Sequence, residues 1–228
     1  MTTAGEVMDD GDRRQLEEWW QAIVSDPSRL PPGMEHVQSR LIRAVGRATL
    51  PSGVGVFLKC MGFPRPKDKL RYAFRSLPAV HEASLLRYVA PTGIRVPDVL
   101  FAKGIRRGGL PHACALVTRA LPVASTPLTP DPTLDVVFAL RDAGVYHPDL
   151  HTDNFLTLDD GSIAVIDMQS ARRRRNIQLE DTTRMLAPLV AHCAYRGLDI
   201  QPWLDALRAR EFDEISVGRI GRLAHQVN

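Results

Sequence analysis

The sequence predicts an α+β chain in two parts: a strand-rich N-terminal lobe carrying one main helix, then a helix-rich C-terminal lobe. Three observations predict it. Short apolar runs broken by Gly- and Pro-bearing turns recur from His36 to about Arg119, which is the pattern of strands. "PVASTPLTPDPT" (122–133) then interrupts that pattern and reads as a proline-rich linker. Beyond it apolar residues return at helical spacing, most clearly in "EDTTRMLAPLVAHCAYRG". The expected division is an N-terminal helical extension over 1–35, the sheet lobe over 36–118 and the helical lobe over 119–228.

The elements follow in order. "RQLEEWWQAIV" places Leu16, Trp19, Trp20, Ile23 and Val24 at helical spacing. Two readings are open for it: a helix docked on the body of the domain, or an interfacial helix, since paired Trp residues suit a membrane boundary. "DPSRLPPG" ends it, because proline cannot continue a helix. "VQSRLIRAV", "RATL" and "VGVFLKC" read as strands, with "PSG" as a turn. The basic stretch "PRPKDKLRYAFR" leads into "PAVHEASLLRYVA", an amphipathic helix stopped by "PTG". "RVPDVLFAKG" and "HACALVTRAL" are two more strands. After the linker come the short helix "LDVVFALRDAG", a polar loop, the buried strand "SIAVIDM" and the helices "EDTTRMLAPLVAHCAYRG" and "QPWLDALRAREF".

Composition excludes several classes. Hydrophobic residues at 44% and charged ones at 24% are those of a soluble globular protein, and a net charge of +3 is too small to imply a nucleic-acid partner. The arginine run Arg172–Arg175 lacks the aromatic interleaving of a nucleic-acid surface. Cys60, Cys114 and Cys193 stand far apart without metal-ligand spacing and read as reduced, buried thiols. The opening "MTTAGEVMDDGDRR" has no basic or apolar signal region, and no apolar run is long enough to span a bilayer. The expected location is cytoplasmic, with peripheral contact to an anionic membrane face left open.

The polar loop carries the chemistry. "VYHPDLHTDNF" contains His147-x-Asp149-x4-Asn154, and Asp167 follows Asn154 by thirteen residues at the end of "SIAVI". Two carboxylates and an amide converging from a loop and a strand end suit Mg²⁺, which prefers hard oxygen ligands and keeps phosphate and water partners. Upstream, Lys59 ends the strand "VFLK" and Glu82 lies in the next helix, the order in which a strand lysine grips nucleotide phosphates and is paired by a helix glutamate. On "YHPDLHTDNFL…IDMQSAR", with weaker support from "VFLK", "HEASLLRYVAPTGIRVPDVL" and "LVTRALP", the chain resembles the bacterial lipopolysaccharide core kinases (Kdo and heptose kinases) of the protein-kinase-like superfamily. The resemblance covers about Ser39 to Arg184.

It implies an α+β, bilobal protein-kinase-like fold, with an antiparallel-sheet N-lobe carrying one main helix and a reduced helical C-lobe, ATP and Mg²⁺ as cofactors, and a sugar or glycolipid acceptor. It further implies that Asp149 deprotonates the acceptor hydroxyl, that Asn154 and Asp167 hold Mg²⁺, and that Lys59, fixed by Glu82, contacts the phosphates. Backbone groups from Arg119 to Leu121 would meet the adenine, with Leu156 in its floor, and Asp181 would brace the catalytic loop. His151, where protein kinases usually carry Lys, points to a small-molecule or sugar acceptor, as does the short span after Asp167, which lacks an A-P-E sequence. His147 is expected to be structural, His112 and His192 to be fillers, and Asp153 to be exposed. For Arg172, Arg173 and their neighbours, a solvated run and an anion site for the acceptor are both open.

The chain also departs from that pattern. No G-x-G-x-x-G precedes Lys59, Gly53 and Gly55 being too close to it. Asp167-Met168-Gln169 lacks the usual glycine, and Arg119 stands where Glu is frequent. The span between hinge and catalytic loop is short and proline-rich, and few helices are expected after Asp181. A kinase for another small molecule (aminoglycoside or amino-alcohol type) and a nucleotide-binding pseudokinase scaffold are the alternatives.

Overall fold

The computed structural model describes residues 8–40, 42–210 and 212–225. The opening "MTTAGEV", Leu41 in an expected strand and Glu211 at the end of an expected helix lie outside them. The chain divides into two compact units, Met1–Ser84 with Asp98–Ala120 and Leu85–Pro97 with Leu121–Asn228. This division falls two residues after the expected boundary at 118/119 and assigns Leu85–Pro97 to the second unit.

In the first unit, helix α1 (Asp10–Ser25) precedes strands β1 (Glu35–Arg40), β2 (Arg43–Thr49) and β3 (Gly55–Gly62). Short α2 (Pro66–Tyr72) and then α3 (Pro78–Val89) follow, before β4 (Val99–Arg107) and β5 (Leu110–Arg119). The five strands form one antiparallel sheet in the order β1-β2-β3-β5-β4. Alternation along β3 sends Val56, Leu58 and Cys60 to one face, where the register sets them beside Ala115 and Val117. Leu16, Trp19, Trp20 and Ile23 of α1 complete that core. The tryptophans are therefore buried against the sheet, which bears out the docked reading of this helix and overturns the interfacial one. A buried Asp12 fixes the start of α1, accepting from the Ser52 N–H at 3.0 Å and its hydroxyl at 2.7 Å.

Helix α3 approaches the sheet closely at Gly104 of β4: a Cβ there would stand 2.6 Å from Leu77 Cδ1 and 3.3 Å from Val80 Cγ2. Glycine at this position is what lets α3 lie flat enough to bring Glu82 over β3. Helix α2 was not expected from the sequence, because Pro64 and Pro66 at its start read as breakers. Pro66 instead sits at the first turn, where the missing N–H costs nothing.

In the second unit, α4 (Pro130–Asp142) leads to β6 (Val145–Tyr146), the polar loop, β7 (Phe155–Thr157) and β8 (Ile163–Val165). Strand β9 (Arg172–Arg173), α5 (Leu179–Tyr195), α6 (Gln201–Arg208) and α7 (Glu214–His225) complete it. Leu134, Val137 and Leu140 of α4 are buried, as are Leu186, Leu189 and Val190 of α5 and Val217 and Ile220 of α7. Helix α4 begins inside the expected linker, with Pro130 in its first turn. The helical part is fuller than expected: α7 extends it, capped by Asp213, whose carboxylate accepts from the Ser216 N–H at 2.8 Å. Tyr88 donates to the Ala143 carbonyl at 2.9 Å, and Val165 N–H donates to the Arg95 carbonyl, so the segment around Leu85–Pro97 is bound to this unit.

Candidate active site

The polar loop is organised by a hairpin. Strands β7 and β8 pair Phe155 with Val165 and Thr157 with Ile163, and the ladder continues as the Ile166 N–H donates to the Asn154 carbonyl at 2.8 Å. The thirteen-residue separation of Asn154 and Asp167 thus becomes adjacency at the open end of a short hairpin. Asn154 is buried, and its Oδ1 accepts from the His151 N–H at 2.8 Å. That oxygen keeps a second lone pair for a cation. Asp167 is the one non-glycine residue with positive φ among the described residues (φ 57°, ψ 54°). This conformation costs roughly 1 kcal/mol or more and is characteristic of functional positions.

His147 joins that hairpin to Asp149. Its ring is almost fully buried; Nε2–H donates to the Asp167 carbonyl at 3.1 Å, and Nδ1 accepts from the Asp149 N–H at 3.3 Å. Accepting at Nδ1 requires the neutral ring, and burial pushes its pKa below the usual histidine value. Asp149 itself is exposed, and its carboxylate makes no hydrogen bond among the described residues. Leu150 beside it is fully buried and anchors the loop. The result is an exposed carboxylate, a second carboxylate and an amide, all fixed by backbone bonds to one hairpin.

The other ligand-type side chains of this loop face α5. The His151 ring lies 5.1 Å from that of His192, and His192 Nδ1 is 2.5 Å from the Thr152 hydroxyl. Asp153 is exposed and pairs with Arg196 at 3.2 Å. His192 is therefore a brace for the catalytic-type loop, not the filler expected of a residue without a motif. The expected brace, Asp181, does something else. It accepts from Arg174 and, at 3.3 Å, from the Gln178 N–H, capping its own helix. Burial acts to raise the Asp181 pKa, but the hydrogen bonds from Arg174 and Gln178 and the nearby arginine charges together hold it below the usual carboxylate value.

The arginine run separates into different tasks. Arg172 and Arg173 form β9, paired with Tyr146 and Val145 of β6, and both are exposed. Arg172 lies over the Tyr146 ring at 5.0 Å and Arg173 over Tyr88 at 4.0 Å. Arg174 is half-buried between Tyr146 and Asp181. Gly144 makes room for this return, since a Cβ there would stand 2.8 Å from the Arg174 carbonyl oxygen.

In the first unit the expected pair is formed. Lys59 Nζ lies 2.7 Å from Glu82 Oε1, with the glutamate buried. Lys59 is on the sheet face opposite α1, between Leu58 and Cys60 of the core. The tight β1–β2 hairpin closes at Arg40–Arg43, and Gly53 lies in the β2–β3 turn. Arg119 ends β5, with Nε 3.6 Å from an Asp98 carboxylate oxygen. In the second unit Leu121 and Leu156 are half-exposed, Leu156 projecting from the hairpin face opposite buried Phe155 and Thr157.

No protein-family model matches the chain, and no curated protein sequence matches it either. Solved structures do. The structure of WaaP in complex with acyl carrier protein superposes with a TM-score of 0.65 at 19% identity, over 97% of this chain and 98% of that one. Amicoumacin kinase hAmiN, in complex with AMP-PNP, Ca²⁺ and Ami, gives 0.54 at 12% identity over 96% and 93%. WbdD gives 0.56 at 13% identity over 88% of this chain, which spans only 46% of the WbdD chain. At these identities the likeness shows the fold: the chain has a protein-kinase-like fold.

Proposed function

We propose that the chain is an ATP-dependent phosphotransferase whose acceptor is a sugar hydroxyl of the lipopolysaccharide inner core, on Kdo or heptose. One observation carries this reading: the β7–β8 hairpin and His147 hold Asp149, Asn154 and Asp167 as a single block. The likeness to WaaP along nearly the whole of both chains supports the acceptor class. The donor set fits Mg²⁺, since a carboxylate and an amide supply hard oxygen donors. Asn154 and Asp167 would hold it, and when bound it supplies charge neutralisation for the ATP phosphates.

The chain's own groups do the rest. Asp149 takes the proton of the acceptor hydroxyl as the phosphoryl group moves. Lys59, oriented by Glu82, binds nucleotide phosphate oxygens. Backbone groups at Arg119 and Leu121 receive the adenine, and Leu156 lies under it. Arg172 and Arg173, exposed on β9 across from Tyr146 and Val145, meet phosphate or carboxylate groups of the acceptor, and His151 of the loop contacts the acceptor. The eleven residues between Asp167 and α5 leave little chain with which to seat a peptide.

The test offers purified protein and γ-labelled ATP with Mg²⁺ to extracted lipopolysaccharide core, an aminoglycoside and amino-alcohol panel, and generic protein substrates. The expected product is labelled glycolipid. Label confined to the small-molecule panel favours the amicoumacin-kinase type of acceptor, and label on proteins alone contradicts the proposal.

A further inference from the structure

Helix α2 and the turn after it form a surface the phosphotransfer site does not use. Tyr72 turns inward and packs edge-on against buried Phe63, with ring centroids 5.4 Å apart. Asp68, one turn earlier, is half-buried on the same side. The opposite face projects Leu70 and Phe74, which are 72% and 96% exposed. Around them stand Lys67, Lys69, Arg71 and Arg75, with no acidic side chain on the outward face.

This exposure is built into the fold. The Arg106 guanidinium donates to the carbonyls of Tyr72 at 3.0 Å, Ala73 at 2.8 Å and Arg75 at 2.6 Å, and reaches Gly109 at 3.4 Å. The backbone on both sides of Phe74 is thereby fastened to the β4–β5 hairpin, and the aromatic ring is held outward. Scattered exposed apolar residues need no explanation, but a pinned Phe and Leu encircled by cations have a specific complement.

We infer that this surface docks on an anionic phospholipid bilayer. Basic side chains gain from negative headgroups while their apolar stems and the Phe74 and Leu70 side chains enter the interface. Cations ringing an apolar centre match the layering of a bilayer, anionic headgroups over an apolar interior. Docking needs neither ATP nor an acceptor and stands apart from the proposed chemistry.

The experiment is co-sedimentation of the full chain with vesicles of phosphatidylglycerol mixed into phosphatidylcholine, and with phosphatidylcholine alone. Binding is expected to the anionic vesicles only, and to weaken as salt rises from 50 to 500 mM, roughly, as screening demands. Replacing Lys67, Lys69 and Arg71 with Gln should lower partitioning by about a hundredfold. Phe74→Ser with Leu70→Ser should lower it by at least about tenfold. All the substituted side chains are exposed except half-buried Lys69, and both variants should keep the parent's melting temperature and ATP turnover. Equal binding to both vesicle types, unchanged binding by the variants, or no vesicle binding overturns the inference. A concentration-dependent dimer that Phe74→Ser makes monomeric, or binding of the patch to a soluble acidic protein in place of vesicles, also overturns it. Loss of ATP turnover in the parent would instead count against the proposed function alone.

Discussion

The two units fix their chemical groups by different means. In the second, Asp149, Asn154 and Asp167 are set by neighbours along one stretch: a hairpin register, two bonds from His147 and the buried Leu150. In the first, Lys59 and Glu82 sit on separate elements and meet because α3 approaches β4 at Gly104. Local backbone bonding makes the first kind of arrangement robust to changes elsewhere in the chain. The second kind depends on tertiary packing, and damage to it should register as lost stability as well as lost turnover.

Substitutions can break this contrast. The largest effect is expected from Asp167→Ala, which should lower phosphoryl transfer on the order of 10³-fold or more. Its melting temperature should fall by only a few degrees, roughly, because Ala is less at ease than Asp in the left-handed backbone but no core group is removed. Lys59→Met should behave differently. It leaves the buried Glu82 carboxylate without its ammonium partner, and breaking such a pair costs about 3–5 kcal/mol. Chemical denaturation should show that loss, and Lys59→Met combined with Glu82→Leu should recover much of it. A Lys59→Met variant as stable as the parent would contradict the packing-dependent account of the first unit.

A smaller effect is expected from His147. Burial holds its pKa below the ordinary 6.5, so the unfolded chain takes up a proton that the folded chain does not. Stability from this group is full above about pH 6.5 and is lost as the pH falls towards the depressed folded value, at no more than about 1.4 kcal/mol per pH unit. His192, also lowered chiefly by burial, acts in the same direction and is present in every variant. His147→Asn should therefore show a shallower fall in stability between pH 7 and pH 5, roughly, than the parent. An identical pH slope would mean that His147 is protonated in the fold.

The same contrast explains what could be read in the sequence. Asp149, Asn154 and Asp167 were legible because a hairpin converts fixed spacing into fixed geometry. The Lys59–Glu82 pair was legible only as an order of elements; the close approach at Gly104 that joins them has no local signature. Helix α2 and the first turn of α4 were hidden because Pro66, Pro130 and Pro132 read as breakers, although proline is tolerated where a helix begins. Helix α7 had a readable cap in "DEIS", with Asp213 three residues before Ser216. The exchange of roles between Asp181 and His192 could not be read: each residue's partner comes from outside its own helix, and spacing carries no information about which one reaches the loop.

The central claim is that one block holds two carboxylates with separate tasks, and nucleotide binding measured beside turnover tests it most directly. Calorimetric titration with a non-hydrolysable ATP analogue and Mg²⁺ should give Asp149→Asn a dissociation constant close to the parent's, while its transfer of labelled phosphate falls by about 10²-fold or more. Asp167→Asn should lose both. Equal loss of nucleotide affinity in the two variants, or undiminished transfer by Asp149→Asn, would contradict the division of roles.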